Sequence, residues 1–430
     1  MSQSPSPTPP SKTSRDCFDC CGQPGQLMSV DNALTAMRDR VQTVAGLERL
    51  PLRQALGRIL AEEPVSPVNV PAFDNSAVDG WAVFLSDLSA ERETRLSVGG
   101  RIAAGHPMQE QAVPGKAYRI FTGAPVPSGP DLVLMQEDCR EEDGFVTLPA
   151  LKPRKGANIR RAGEAVAVGD RPLSLGTRLL PQHIGVAATI GLTEVTVRAP
   201  LKVAIFSTGD EVRDPGQPLP PGCLWDSNRH TMHALLTRAG CIVTDLGILP
   251  DRIEAVRDAL TAAAPDHDLI VTSGGVSVGE EDHVKGAVES LGSLHLWRLA
   301  LKPGKPLALG QVQGTPFLGL PGNPVAVMVT FLLFGRALLA QLSGAQWPEL
   351  RHYPLPAGFS LKKKPGRREF PRARLEYGPN GPVVTLFRSD SSGVLTSMTA
   401  CDGLVDLPQG GIEIAPGDLV PFIPFAEVMP

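Results

Sequence analysis

The first apolar rhythm in the chain is helical. Val30, Leu34, Met37 and Val41 recur three to four residues apart, and Ser29 or Asp31 stands where an N-cap belongs. A second helix is expected over Leu52–Leu60, ending near Glu62–Pro64. From 65 to 148 the rhythm shortens. Brief apolar runs such as Tyr118–Phe121 and Leu132–Met135 are punctuated by Pro and Gly, and Glu141-Glu142-Asp143-Gly144 reads as a hairpin turn. Residues 150–180 are mixed and carry the basic stretch KPRKGANIRR.

Beyond Leu201, strands and helices alternate. KVAIFS, a helix at Asn228–Ala239, CIVTDLGIL, a helix at Ile253–Ala263, DLIVTS, a helix at Asp282–Leu291 and LHLWRLA follow in turn. PLALG and TPFLGL then lead into a long apolar helix after Pro324. This order predicts a doubly wound, mostly parallel sheet covered on both faces. Residues 346–430 return to Pro/Gly-rich runs, PVVTLF and DLVPFI among them, as expected of a small barrel-like β domain. The fold class is multidomain α/β plus β. It divides into a tail at 1–26 read as disordered, a helical and mixed linking domain (27–65 plus 149–180), a β-rich domain inserted at 66–148, the α/β domain at 181–345 and the β domain at 346–430.

Composition narrows the function. Gly 44 and Pro 42 among 430 residues mean many turns, and 42% hydrophobic residues mean a folded chain. A net charge of -4, with scattered Lys and Arg and only three Tyr and four Trp, argues against nucleic acid as a partner. The longest apolar run, Pro324–Phe334, is too short to cross a membrane, and MSQSPSPTPP lacks the basic start and apolar stretch of a secretory signal. A cytoplasmic protein without a membrane partner is expected. Seven cysteines are an odd number for a disulfide scaffold. Cys17, Cys20 and Cys21 cluster in the tail, with no fourth zinc ligand nearby. His230 and His233 lie on one helix without metal-ligand spacing.

In a doubly wound sheet, ligands bind outside the carboxyl ends of the strands. Four polar loops fall there: Ser207-Thr208-Gly209-Asp210-Glu211; Pro250-Asp251; Ser273-Gly274-Gly275 with Ser277 and, further on, Glu281 and Asp282; and Pro321-Gly322-Asn323-Pro324. Gly-rich turns and helix N-termini favour an anion, whereas the carboxylates would repel it. A divalent cation between them, most naturally Mg²⁺, resolves the conflict. The expectation is a phosphate-bearing ligand with a metal at this edge. Neither GxGxxG in a strand–helix setting nor GxxxxGK[ST] occurs. Lys302-Pro303-Gly304-Lys305-Pro306, four residues after Arg298, is a stiffened loop whose lysines could hold a second oxyanion. In the β-rich part, Asp74, Asn75, Ser76 and Asp79 form a polar loop before Trp81, and Thr122 precedes a Gly/Pro turn.

Seven segments, PAFDNSAVDGWAV, RIFTGAPVPSG, GANIRRAGE, FSTGDEV, TSGGVSVGEEDHVK, KPGKP and GLPGNPVA, occur in an order that resembles the molybdopterin molybdenumtransferase family (MoeA and the gephyrin E domain). The resemblance covers roughly residues 28–425. It implies a molybdopterin-binding-like α/β domain in a homodimer with the site shared between subunits. It also implies Mg²⁺-dependent hydrolysis of adenylyl-molybdopterin with molybdate ligation and AMP release. The implied catalytic positions are Asp79, Thr122, Glu211, Asp251 and Asp282. Of these, Glu211, Asp251 and Asp282 are the implied metal ligands. The substrate-binding set comprises Asp74, Asn75, Ser76, Ser207, Thr208, Gly209, Asp210, Ser273, Gly274, Gly275, Ser277, Pro321, Gly322, Asn323 and Pro324. Arg298, Lys302, Lys305, Arg367 and Ser397 are the implied molybdate side. A non-catalytic cofactor carrier and a molybdopterin adenylyltransferase are the alternative readings. The chain departs from the family pattern at Ala165, where an acidic residue is usual, and has Arg298 and Trp81 in place of Lys and Tyr.

Overall fold

The computed structural model describes residues 27–151, 153–275, 283–379 and 381–429. The tail cysteines, Ser277, Glu281 and Asp282 lie outside the described residues. The chain divides into two compact units. One comprises the described parts of Met1–Glu48, Gly57–Ala61 and Val197–Pro430; the other comprises Arg49–Leu56 and Glu62–Thr196.

The first helix among the described residues is α1 (Val30–Arg40), where the Ser29 side chain accepts from the Asn32 N–H and so supplies the N-cap. The helix expected over Leu52–Leu60 does not form. Only Leu52–Gln54 make a 3-10 turn. Gly57 then takes φ +78°, and Leu60 bridges to Val197 as extended chain. Arg58 is drawn to Glu48 and to the Arg198 carbonyl, at 2.6 and 2.8 Å, so tertiary partners override the local helical spacing.

The second unit is built on a six-stranded sheet. Its strands are β1 (Gly80–Val83), β2 (Thr94–Ile102), β3 (Lys116–Ile120), β4 (Leu132–Met135), β5 (Arg140–Glu142) and β6 (Phe145–Leu148), in the order β4-β1-β3-β2-β6-β5. The expected hairpin turn joins β5 to β6, with Asp143 and Gly144 at φ 53° and 77° as a two-residue primed turn requires. Trp81 and Val83 point into one apolar cluster and Ala82 into another, the period-2 alternation of a strand buried on both faces.

The larger unit continues with β7 (Lys202–Thr208), α2 (Ser227–Arg238), β8 (Ile242–Leu249), α3 (Ile253–Ala263), β9 (Leu269–Ser273), α4 (His283–Leu291), β10 (Gly292–Arg298), β11 (Pro306–Val312), β12 (Thr315–Leu320) and the long helix α5 (Pro324–Ser343). The sheet order is β8-β7-β9-β12-β11-β10; the first four strands are parallel, and β11 pairs antiparallel with both β12 and β10. The inner parallel strands β7, β9 and β12 are apolar over most of their length because they are covered twice, whereas the edge strand β8 carries Thr244 and Asp245. Val203, Ile205, Leu269 and Val271 pack with α2 and α5, whereas Ala204, Phe206 and Ile270 pack with α3 and α4. His230 and His233 are exposed on α2.

Helix α5 runs on beyond the apolar segment through Gly335 and Arg336, with a π turn at Phe331–Gly335. A Cβ at Gly335 would lie 2.6 Å from the Phe331 ring, so the turn needs glycine there. α5 is long and apolar enough to cross a membrane, yet 89% of its most apolar window is buried inside the protein. The same core reaches Phe370, Met398 and Leu404. These belong to the C-terminal region, whose five-stranded antiparallel sheet is formed by β13 (Tyr353–Pro356), β14 (Arg372–Gly378), β15 (Gly381–Leu386), β16 (Gly403–Val405) and β17 (Leu419–Pro424).

Candidate active site

Strand β7 lies between β8 and β9, so the chain leaves it first to one side and then to the other. Such a switch point opens a crevice at the carboxyl ends. Ser207 and Thr208 close β7 there, both buried. Thr208 Oγ1 donates to Asp251 Oδ1 at 3.0 Å and so ties the β7 loop to the loop after β8. Gly209 has φ +137°, and a Cβ on it would lie 2.7 Å from the Glu211 carboxylate. Glycine therefore lets Glu211 fold back over the bend. Asp251 is half-buried, and Asp210 and Glu211 are exposed.

After β9, Gly274 and Gly275 take φ +85° and +62°. A side chain at Gly275 would press on Val284 Cγ2 at 2.6 Å and Thr208 Cγ2 at 3.2 Å, so this bend packs directly against the β7 loop. The turn Pro321-Gly322-Asn323-Pro324 follows β12 and starts α5 with Pro at the first helical position. Ser273 Oγ donates to the Pro321 carbonyl at 3.0 Å, and the Gly274 N–H donates to the Leu320 carbonyl at 3.1 Å. Asn228, to which sequence reasoning gave no role, completes the link. Its Nδ2 donates to Ser273 Oγ at 2.9 Å and to the Gly322 carbonyl at 2.7 Å. Asking which polar residues lead the helices at this edge could have found it, because Asn228 follows the Asp226 N-cap of α2 by two residues.

A cationic corner adjoins this turn. Gly304 of the KPGKP loop packs so closely on Thr330 and Ala326 of α5 that a Cβ would collide. Lys302 Nζ sits 2.8 Å from Asp390 Oδ2 and 3.5 Å from Glu369 Oε2. The hydrogen bond from Lys302 holds the Asp390 carboxyl below its ordinary range, and the same bond raises the lysine. The segment around Asp390 is held from beneath by Arg372, 2% exposed, which donates to the Ser389 and Ser391 carbonyls at 2.8 and 3.0 Å. Ser397 is fully buried. Its hydroxyl accepts from Arg372 Nε at 3.0 Å and donates to the Val394 carbonyl at 2.7 Å. The Val325 N–H at the start of α5 donates to the Ser392 carbonyl at 3.0 Å, so this segment also borders the Pro321–Pro324 turn. Arg298, Lys305 and Arg367 are exposed, whereas Arg368 is engaged by Asp406 and Asp31.

The polar loop of the second unit is tightly cross-linked. Asp79 Oδ1 accepts from both the N–H and the hydroxyl of Thr122 at 2.8 Å. These bonds, the backbone one foremost, hold its carboxyl below the ordinary range. Gly80 lies against the Leu134 carbonyl so closely that only glycine fits, which lets β1 pair with β4 directly after Asp79. Asp74 accepts from the Ala162 N–H at 2.8 Å and from Arg161 Nη1 at 2.5 Å, and its carboxyl is lowered, chiefly by the Ala162 bond. Ser76 donates to the Val78 carbonyl at 2.5 Å, and Asn75 is buried beside it with Oδ1 unpartnered among the described residues.

Comparison with known proteins decides the family. Residues 28–191 match the MoeA N-terminal region (domain I and II), residues 204–341 a probable molybdopterin binding domain, and residues 354–425 the MoeA C-terminal region (domain IV). A protein of Haemophilus influenzae named molybdopterin molybdenumtransferase is 40% identical over 94% of this chain and 100% of its own length. The chain belongs to the molybdopterin molybdenumtransferase (MoeA) family. Molybdopterin molybdenumtransferase 2 of Mycobacterium tuberculosis is 36% identical over 86% of this chain and 92% of its own. The crystal structure of the molybdopterin biosynthesis moeA protein from Pyrococcus horikoshii OT3 aligns over 93% of this chain and 100% of its own with a TM-score of 0.78 at 27% identity.

Among the described residues no three His, Cys, Asp or Glu side chains group at metal-binding distance. The donors at the cleft are hard oxygens: Asp251, with Thr208 on one of its oxygens, and Glu211. That set suits Mg²⁺, which takes one or two carboxylates and keeps waters and substrate phosphates, and does not suit a closed zinc site. Of the departures from the family pattern, Ala165 is held by its backbone, its N–H donating to the Val70 carbonyl at 3.0 Å, and Trp81 is buried in β1.

Proposed function

We propose that this chain inserts molybdenum into molybdopterin during molybdenum cofactor biosynthesis, as a cytoplasmic homodimer whose Asp79 loops each complete the cleft of the other subunit. Adenylyl-molybdopterin and molybdate are the substrates. Water enters the phosphoanhydride, the bridging P–O bond breaks, AMP leaves, and the two dithiolene sulfurs bond molybdenum in place of one oxo group, which leaves as water with the two thiol protons. Asp251 and Glu211 would hold Mg²⁺, which supplies charge neutralisation as the anhydride opens. The Gly274-Gly275 bend and the Pro321–Pro324 turn bind and orient the pterin nucleotide. Lys302 and Lys305 hold molybdate close to the dithiolene, so positioning does much of the work.

One observation carries the reading: loops from four neighbouring parallel strands are cross-linked at one edge, by Thr208–Asp251 on one side and Asn228–Ser273–Gly322 on the other. The test is AMP release from adenylyl-molybdopterin with Mg²⁺, with and without molybdate, beside a metal analysis of the pterin product. Turnover indifferent to molybdate removes the reading. Ala165 favours a carrier as the second reading. Under it, Asp251→Ala would still deliver cofactor to a cell lacking the enzyme, whereas for a catalyst it would not.

A further inference from the structure

The Pro321–Pro324 turn has a polarity that two linked side chains impose. The Pro321 carbonyl faces Ser273 Oγ and the Gly322 carbonyl faces Asn228 Nδ2. Both following peptide bonds are trans, since the cis bonds lie at Val70-Pro71 and Lys302-Pro303. In a planar trans peptide the N–H points opposite to the C=O. Fixing those two carbonyls inward therefore turns the N–H groups of Gly322 and Asn323 outward together. Asn228 is the hub, because its two amide hydrogens serve Ser273 and Gly322 while its Oδ1 is buried and unpartnered among the described residues. The carboxamide thus acts as a double donor, a task that no carboxylate can perform.

We infer that Asn228 is a positioning residue. It aims the Gly322 and Asn323 N–H groups at acceptor oxygens of the pterin ligand, and it sets affinity for that ligand without touching molybdate. The inference rests on the transferase reading for the identity of the ligand. Asn228→Asp is the sharpest probe. It keeps the shape, but an ionised carboxylate faces the Gly322 carbonyl and a Ser273 hydroxyl already committed to Pro321, so the turn must swing. Protonation restores one donor.

Binding of molybdopterin itself should be measured by fluorescence quenching, and binding of molybdate by calorimetry, on the full chain. At pH 8, Asn228→Asp is expected to weaken molybdopterin binding about tenfold or more, the scale of two lost hydrogen bonds. Molybdate affinity should stay within about twofold, far short of the loss of a hydrogen bond at the anion itself. The ratio of variant to wild-type Kd for molybdopterin should shrink as pH falls toward 5, and stay flat for Asn228→Ala, which cannot regain a donor. An unchanged molybdopterin Kd, equal loss of both ligands, or a ratio for Asn228→Asp that ignores pH overturns the inference. If Asn228→Asp does not fold, Asn228→Ala decides by the same selective or unselective loss. A wild-type protein that binds molybdopterin yet releases no AMP would defeat the transferase reading and still leave this comparison of Kd values decisive.

Discussion

Two threonine–aspartate pairs of similar length have different tasks. Thr122 and Asp79 meet at 2.8 Å in the β-rich unit, and Thr208 and Asp251 meet at 3.0 Å at the edge of the parallel sheet. In the first pair one carboxylate oxygen takes two hydrogen bonds from one residue, Thr122 is exposed, and Asp79 is half-buried. That pair closes a turn within its own unit. In the second, the hydroxyl belongs to the buried end of a strand and the carboxylate to the next loop, so one bond joins two elements. The same chemical pair is a local lock in one place and, in the other, a spacer between the loops proposed to face the substrate.

The contrast sets an order of effects. Asp251→Asn keeps an acceptor for Thr208 but removes the charge proposed to hold the cation. AMP release should fall by about 10²–10³, the cost of losing one preorganised electrostatic contact, with the melting temperature almost unchanged. Asp79→Asn also keeps its acceptor for Thr122 and should cost about tenfold, short of the usual penalty for a lost general acid or base. Steady-state assays of both variants at saturating Mg²⁺ check the order. If Asp79→Asn proved the more damaging, the exposed lock would be the chemical group and the comparison would invert.

Much of this was legible in the chain. The parallel sheet could be read because its two central strands are apolar on both faces and end in Ser or Thr at one edge, as KVAIFST and DLIVTS do. The 70–80 loop and Thr122 stood out separately as polar islands, but their joining through Asp79 needed the pairing of β1 with β3. What stayed hidden is tertiary. Leu52–Leu60 has helical spacing, and its fate is decided by Arg58 and Leu60 finding partners about 140 residues away. The place of Asn228 just behind the Asp226 N-cap is a local hint, but its task depends on two loops that arrive 45 and 94 residues later. Nor does local sequence show that Ser397 is spent on Arg372, or that Arg368 rather than Arg367 is the anchored member of its pair.

A third carboxylate sharpens the comparison. Asp390 already occupies Lys302, with 78% of its side chain exposed while Arg372 fixes the backbone on either side of it. An oxyanion that takes Lys302 must displace that carboxylate, and only the side chain has to move. Asp390→Asn should therefore tighten molybdate binding by a few-fold, in line with the modest worth of an exposed ion pair. Calorimetric titration checks it. Weaker binding in the variant would mean that Asp390 orients the lysine instead of competing for it.

The smallest expected effect is on acid stability, and it isolates the lock from the spacer. The carboxyl of Asp79 is held below its ordinary range by the Thr122 N–H and hydroxyl. A group whose pKa is lower folded than unfolded stabilises the fold fully above its unfolded value, near 3.9, and loses that contribution as pH falls through its folded value. Wild type should therefore lose a little stability between about pH 4 and lower values, on top of what the other carboxyls contribute. In Asp79→Asn that increment should be missing, because an amide accepts from Thr122 at every pH. Thermal melts of both proteins at pH 5 and pH 3 measure it: the wild-type midpoint should drop by more than the variant's. Equal drops would mean that the two Thr122 hydrogen bonds do not distinguish ionised from neutral Asp79. The lock would then be a matter of shape alone, and charge at Asp79 would serve only the substrate.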